Sequence, residues 1–366
     1  MEIFIMSRTI RFGPILATAV LLFLTGCGSI GPGNVTRDRF GYTDAIAESW
    51  KKQMLLNMVK MRYVDVPVFL DVATIINQYS LEGEVELGLN WSSALLGNSQ
   101  SVGGRGRYAD RPTVTYQPLM GEKFTRKLMN PIPPRAILSL AQAGWRIDML
   151  FRICVQAING IHNRAGGRLD ALPADPDFYR LIALLREIQA SAAMGMRIER
   201  TKGKIQTALI IFRKKNIEPN MEAKIDAVRK LLGLNPELKE FKVVYGSIAT
   251  DDREMAIQSR SMMEILGELA AYIDVPAEHV AEQSATPTMV EEEAIAADIP
   301  PLIRVKSGSE EPDDAFAAVR YRDHWFWIEH QDLKSKRVFS FLMFLFSLAD
   351  SGTPRQAPIV TIPVGQ

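Results

Sequence analysis

The chain has 366 residues, of which 47% are hydrophobic and 23% charged, and its formal net charge is +1. This composition excludes a disordered chain and a protein with many membrane spans, and indicates a globular body. A nearly neutral chain also lacks the basic surface that nucleic acids require, so we exclude them as partners. The length suffices for two domains of ordinary size.

The first 26 residues have the layout of a secretion signal. Arg8 and Arg11 precede an apolar run at 15–24, which as a helix would rise only about 15 Å, roughly half of a bilayer core. We therefore predict a cleaved signal peptide over 1–26 and not a membrane span. Met6 is an alternative start, because an acidic residue precedes it in an otherwise basic leader.

A four-residue motif, Leu24-Thr25-Gly26-Cys27, directly follows the apolar run. It resembles the lipobox of bacterial lipoproteins, which is an aliphatic residue, two small residues and a cysteine. The resemblance implies that the signal is removed before Cys27, and that Cys27 is acylated on its sulfur and on its new amino group. Gly28, in place of Asp, resembles the pattern of lipoproteins sorted to the outer membrane. Membrane lipid is therefore the predicted partner of Cys27, and several acyl chains hold a protein far more firmly than one.

The first structured element is expected after a flexible tether at 27–37, which is rich in Gly and Pro and keeps the body near its membrane. Thr43 is the predicted N-cap of an amphipathic helix. Its apolar stripe recurs at helical spacing and consists of Ile46, Trp50, Met54, Leu55, Met58 and Val59.

A β-hairpin is predicted next. Alternating apolar residues over 68–92 predict one strand, and the segment at 112–119 its partner. The glycine-rich segment at 97–111 is the predicted loop at the tip. It lacks the Lys-Ser/Thr of a phosphate-binding loop and precedes a strand, so no nucleotide site is predicted there. Arg105 and Arg107 in this loop are predicted surface contacts for lipid headgroups or a partner.

The body divides by pattern into four regions. Residues 38–170 hold the first helix, the hairpin and a helical block; 171–280 alternate strands and helices; 281–300 form an acidic linker; and 301–366 form a C-terminal α/β part. A long helix is predicted over 251–273. The order of two strands, a helix and a strand is predicted twice, over 196–246 and 315–364, so these segments are either two small modules or pieces of one sheet. Because neither alone buries much core, we expect 301–366 to share a sheet with 195–250.

The predicted fold class is therefore α+β, or mixed α/β. An N-terminal helix and a β-hairpin come first, a helical middle follows, and a mixed sheet with packed helices forms the C-terminal part. The apolar segment at 338–349 is too short to span a bilayer, and we predict a buried helix there; an interfacial helix on the membrane is the alternative.

Catalytic signatures are sparse. The two cysteines, Cys27 and Cys154, leave no intramolecular disulfide framework once the first is acylated, and the apolar neighbours of Cys154 predict a small buried residue. The four histidines match no zinc motif, and His324 and His330 lie about 20 Å apart on an extended strand. No catalytic residue, metal or cofactor is therefore predicted.

Charge is unevenly distributed along the chain. The region around 197–230 is basic and includes Lys214 and Lys215, whereas 278–314 is acidic. Lys214 and Lys215 are therefore predicted surface contacts for anionic lipid headgroups or for the acidic linker. A solvated helix face and a disordered linker are the simpler alternative.

Two C-terminal segments carry a second resemblance. RSMMEILGELAAYIDVPAEHV and AFAAVRYRDHWFWIEHQDLKSKRVFSFLMFLFSLAD are similar to segments of proteobacterial lipoproteins, a group that implies a location and no activity. We therefore expect a lipid-anchored envelope protein at the periplasmic face of the outer membrane, in preference to the inner membrane. The expected role is a non-catalytic scaffold or assembly factor with an envelope protein partner. The alternative is an envelope hydrolase whose site has no sequence signature.

Overall fold

The computed structural model describes residues 32–76, 79–90, 99–110, 113–165, 172–200, 206–213, 218–288 and 301–348. The helices in these ranges are α1 (Pro32–Arg62), α2 (Gly121–Phe124), α3 (Pro134–Gln142), α4 (Ile147–Cys154), α5 (Pro176–Ala190), α6 (Pro219–Leu231), α7 (Met262–Ala270), α8 (Ala277–Ala281) and α9 (Leu333–Leu348). A π-helical turn spans Thr125–Met129. None of the helices described combines the length and apolar character needed to cross a bilayer.

The strands are β1 (Leu70–Ile76), β2 (Tyr79–Asn90), β3 (Ser99–Asp110), β4 (Thr113–Pro118), β5 (Val155–Ile158), β6 (Ile161–His162), β7 (Met194–Arg200), β8 (Gln206–Phe212), β9 (Glu240–Tyr245), β10 (Glu254–Ser259), β11 (Lys306–Gly308), β12 (Ala315–Tyr321) and β13 (His324–Glu329). Helices and strands alternate without forming one regular layer pattern. The predicted α+β class is therefore confirmed.

Helix α1 begins earlier than its sequence pattern predicts. Pro32 is its first residue, a position where the missing N–H of proline leaves no bond unmade. The predicted N-cap, Thr43, lies inside the helix and its hydroxyl donates to the Arg39 carbonyl at 2.6 Å, so that prediction is wrong. The last part of the predicted tether, from residue 32 onward, is helical as well.

The chain divides into two compact units, residues 1–51 and 52–366. In the first unit the described residues belong to α1, and most of their side chains are exposed or half-buried. In the second unit the remainder of α1 places the predicted apolar residues in the core: Met54, Leu55, Met58 and Val59 are all buried.

Strands β1 to β4 form two antiparallel two-stranded sheets, which are together called the ribbon below. β1 pairs with β4, and β2 pairs with β3 over twelve antiparallel residue pairs from Tyr79–Asp110 to Asn90–Ser99. Twelve strand residues extend about 40 Å. The predicted hairpin is therefore confirmed where 112–119 pairs with β1, the first part of the strand predicted over 68–92. The predicted loop is wrong, because β3 occupies most of 97–111 and pairs with β2.

A six-stranded mixed sheet, in the order β6-β5-β10-β9-β8-β7, forms the centre of the second unit. Its neighbours run antiparallel except β9 and β10, which are parallel. The predicted series of two strands, a helix and a strand is confirmed as β7, β8, α6 and β9. Asp175 caps α5, since its carboxylate accepts from the Asp177 N–H at 2.9 Å.

The C-terminal strands form a sheet of their own, in the order β11-β13-β12. The expectation that 301–366 shares a sheet with 195–250 is therefore wrong for the residues described; the two sheets meet instead through side chains in one hydrophobic core. Arg322 and Asp323 form the β12–β13 turn with φ of 47° and 63°, as a type I′ turn requires. Helix α9 is buried along Val338, Phe339 and Leu342, as predicted for this apolar segment.

The predicted long helix at 251–273 is two elements. Strand β10 comes first, and its Met255, Ala256 and Ile257 are buried between β5 and β9. Helix α7 begins only after Ser261, whose hydroxyl and the Glu264 carboxylate form a reciprocal capping box. Burial in the middle of the sheet thus outweighs the helix-like spacing of the sequence.

Arg260, 1% exposed, links β10 to the end of α4. Its guanidinium donates to the Gln156 side chain at 3.0 Å, to the carbonyls of Arg152 and Ile153 at 3.0 and 3.2 Å, and to the Arg164 carbonyl. The Glu268 carboxylate lies 3.8 Å away. Two carbonyls of the last turn of α4, which no helical N–H reaches, thus receive a charged partner.

The acidic segment predicted as a linker at 281–300 is held at its start. Arg62 of α1 donates to the hydroxyl and carbonyl of Thr286 at 2.5 and 2.7 Å and to the Pro287 carbonyl at 2.7 Å. Thr288 bonds the backbone of Val275 at 3.0 Å. The prediction of a linker is therefore wrong up to residue 288, and residues 289–300 lie outside the described part of the chain.

Candidate functional site

The residues singled out from the sequence fall into two groups. Cys27, Lys214 and Lys215 lie outside the described residues, so their predicted roles remain predictions. Arg105 and Arg107 lie within β3, paired with β2, and not on a loop at the hairpin tip. Because both arginines belong to the β2–β3 ladder, the ribbon is the first candidate site.

The ribbon sets opposite charges across its two strands. Its register places Glu82 opposite Arg107 and Glu84 opposite Arg105, while Glu86 faces Gly103. Opposite charges at directly paired positions stabilise an antiparallel ladder by about 0.2–1 kcal/mol per pair. The glycines of β3 disfavour a strand when taken alone, and the register places residues of opposite charge at directly paired positions.

The base of the ribbon is fixed to α1. The Asn57 amide bonds both backbone groups of Val68, at 2.8 and 2.9 Å, and the Gln53 amide does the same for Leu70, at 3.1 and 2.7 Å. Each side chain thereby substitutes for a neighbouring strand. Further along, within the described residues, neither β1–β4 nor β2–β3 has a third strand.

Apolar side chains are exposed around this base. Val66 is 73% and Tyr116 is 56% exposed, and every residue of β4 is exposed. The other large apolar residues exposed in this region are Val64, Val68, Leu70, Val114, Met120 and Met129. Unpaired strand edges beside exposed apolar residues are a site at which another strand can add.

A second candidate site lies where the end of α1 meets α8 and the β12–β13 turn. One ring nitrogen each of His279 and His324 and one carboxylate oxygen of Glu278 lie within 4.8 Å of one another. The Glu278 carboxylate is 2.9 Å from Nε2 of His324, and the two imidazole rings are 4.8 Å apart, edge to face. Sequence spacing could not reveal this group, because 45 residues separate its histidines.

Tyr63, the first residue after α1, forms one wall of this site. Its hydroxyl lies 2.7 Å from Nδ1 of His279, and the Arg322 guanidinium lies over its ring at 5.2 Å. Burial raises the pKa of Tyr63 to about 12, so the phenol is neutral at physiological pH. Nearby, burial and the hydrogen bond to Asp65 raise the pKa of Tyr321, and that same bond lowers the pKa of Asp65.

A cleft of about 450 Å³ lies between α4, α5 and α9. Arg146, Arg152, Lys334 and Arg337 contribute four positive charges to its lining, and Asp148 contributes one negative charge. Burial has the largest single effect on Asp148 and would raise its pKa, but the hydrogen bonds and charge of Arg146, the Met149 N–H and the charge of Arg186 together lower that pKa. The cleft therefore favours an anionic ligand over a neutral or cationic one.

Cys154 is a buried free cysteine at the end of α4, as predicted. Complete burial raises the pKa of its thiol to about 12, so the thiolate needed for nucleophilic chemistry does not form at neutral pH. Cys154 is therefore a core residue.

No family model, no curated protein and no solved structure matches the chain.

Proposed function

We propose that this chain is a lipid-anchored envelope scaffold that assembles with further copies of itself through the ribbon. The ribbon is the observation that carries the proposal: two long strands, paired only with each other among the described residues, with exposed apolar residues at their base. The Leu24–Cys27 motif supports the anchor, and Gly28 supports outer-membrane sorting. A lone two-stranded ribbon is marginally stable in water, which is a reason for it to acquire further strands.

Strand addition between copies would repeat the pairing already present within one copy. β2 carries Glu82, Glu84 and Glu86, whereas β3 carries Arg105 and Arg107. When β3 of one copy lies beside β2 of the next, the two strands run antiparallel and the acidic row again faces the basic row. The charge pattern therefore favours a second copy over an unrelated partner.

Such a contact is heterologous, because it joins different surfaces of the two copies. Heterologous contacts generate a closed ring when the rotation between copies closes, and an open row when it does not. Acylation of Cys27 would hold all copies at one membrane surface, and this raises the effective concentration of each ribbon for its neighbours. Anchor and ribbon thus serve one purpose, a membrane-bound assembly.

The anchor is tested by Cys27→Ala. We expect the variant to leave the membrane fraction and to incorporate no labelled fatty acid, because acylation requires the thiol. Cys154→Ala is the matched control, and it should fractionate like the wild type, since Cys154 is buried in the body. Wild-type protein that takes up no label, or a Cys27→Ala variant that stays in the membrane fraction, would contradict the anchor.

The assembly is tested by a photo-crosslinking residue placed at Tyr116 in cells. Tyr116, on β4, and Tyr245, at the end of β9, have almost the same exposure, 56% and 57%. We expect crosslinks at position 116 to give species at multiples of the chain mass, and position 245 to give none. Equal self-crosslinking at both positions, or crosslinks at 116 to another protein alone, would refute self-assembly through the ribbon.

A further inference from the structure

We propose that Glu278, His279 and His324 bind a divalent transition-metal ion of the Zn²⁺ class. The proposal does not depend on the assembly through the ribbon. Two imidazoles and one carboxylate form a ligand set that Zn²⁺ prefers, with a fourth position open to water. In a tetrahedral site with bonds of about 2.0 Å, ligand atoms lie roughly 3.3 Å apart. The three present ligand atoms are already within 4.8 Å of one another.

The hydrogen bonds around the two imidazoles are those expected of metal ligands. A ligating histidine directs its second ring nitrogen to a carbonyl, a carboxylate or another polar group, and this bond fixes the ring. Nδ1 of His324 lies 3.3 Å from the Arg322 carbonyl, and Nδ1 of His279 lies 2.7 Å from the Tyr63 hydroxyl. In both histidines Nε2 is thereby left as the ligating nitrogen.

The backbone brings these side chains together from three places in the chain. The type I′ turn at Arg322 and Asp323 places His324 at the start of β13. The short helix α8 supplies Glu278 and His279 as neighbours, and the end of α1 supplies Tyr63. Tyr63 is itself packed against Tyr321 and Phe326, with ring centroids 5.3 and 6.0 Å away, so further aromatic rings support the Tyr63 ring that contacts His279.

Burial differs across the site in a way that suits a metal ion. His279 is 9% exposed, whereas the Glu278 side chain is 61% exposed. An ion can therefore enter from the Glu278 side and retain a water molecule there. In the absence of a metal ion, the Glu278–His324 contact is an ion pair only when the imidazole carries a proton on both nitrogens. Zn²⁺ instead binds the neutral imidazole.

The test measures Zn²⁺ binding to the full-length chain, purified in detergent and treated with a chelator, by calorimetry. We expect one Zn²⁺ per chain. Glu278→Gln and His324→Ala should each weaken binding by more than about 100-fold, because each removes a ligand. Tyr63→Phe should weaken it by about 10–100-fold, the usual effect of losing a partner behind a ligand. His330→Ala, an exposed histidine at the end of the same strand, should bind like the wild type.

Folding is monitored by circular dichroism for each variant, and Co²⁺ provides a second readout through the visible absorption of a tetrahedral site. Glu278→Gln changes an exposed side chain and keeps its volume, so it separates loss of a ligand from loss of structure. The proposal is overturned if the wild type binds no Zn²⁺, or if Glu278→Gln and His324→Ala bind it as tightly as the wild type.

Discussion

Reversing two charges in the ribbon, with Arg105→Glu and Arg107→Glu together, is expected to break the assembly into single copies. The register sets these residues opposite Glu84 and Glu82, so both variant positions would face like charges. The same clash would arise within a copy and between copies. A cross-strand charge pair contributes about 0.2–1 kcal/mol, and each interface contains two such pairs. Losing both attractions and gaining two repulsions should therefore cost about 2 kcal/mol per interface, roughly a 30-fold loss of affinity. Light scattering of the detergent-solubilised chain measures the change in mass.

A charge swap separates assembly from folding of the ribbon. Adding Glu82→Arg and Glu84→Arg to the double variant restores opposite charges in each copy and between identical copies, so we expect the fourfold variant to assemble again. Mixed with wild type, however, it should form few mixed assemblies, because every mixed interface sets like charges together. Free mixing of the two proteins, or full assembly of the double variant, would contradict the proposed β3–β2 contact.

Replacing Arg260 by Met is expected to cost about 3–5 kcal/mol of unfolding free energy, the usual effect of removing one member of a buried ion pair. The change leaves the Arg152 and Ile153 carbonyls at the end of α4 without their donor, and it removes the guanidinium from beside the Glu268 carboxylate. Because whole domains are stable by only about 5–15 kcal/mol, this loss is a large fraction of the total. The midpoint of urea unfolding measures it.

Two further variants show whether the loss of stability comes from the buried network of Arg260. Arg253→Met changes an exposed arginine directly before β10 and should alter stability by less than about 0.5 kcal/mol. Arg260→Lys keeps the charge but lacks the planar fork of donors, so it should fall between Met and the wild type. If Arg260→Met unfolds at the same urea concentration as the wild type, then the network does not hold α4 to β10.

The sequence predicted those elements whose local residue pattern favours the same structure as their long-range packing. The buried half of α1 follows its apolar stripe, and β7 to β9 lie in 171–280, where strands and helices are predicted to alternate. Predictions were wrong where long-range pairing decides. Strand β10 has a helix-like sequence that becomes a strand because β5 and β9 flank it, and the glycines of β3 suggest a loop until β2 provides a partner.

The candidate sites were harder to predict from the sequence than the fold. Arg105 and Arg107 are predicted contact residues, but their positions opposite Glu84 and Glu82 depend on a register that only the ladder defines. His279 and His324 follow no ligand spacing, because a short helix and a hairpin turn from different parts of the chain bring them together.

The hydrogen bonds from Arg62 to Thr286 and Pro287 should keep the two parts of the chain together after a cut between residues 288 and 301. Both flanks of that interval are held: Thr288 is bonded to the backbone of Ile273 and Val275, and Leu302 and Ile303 are buried. Helix α9 and its sheet share the same core as the rest of the second unit. A protease nick there would therefore yield two fragments that remain associated as one particle and separate only under denaturing conditions.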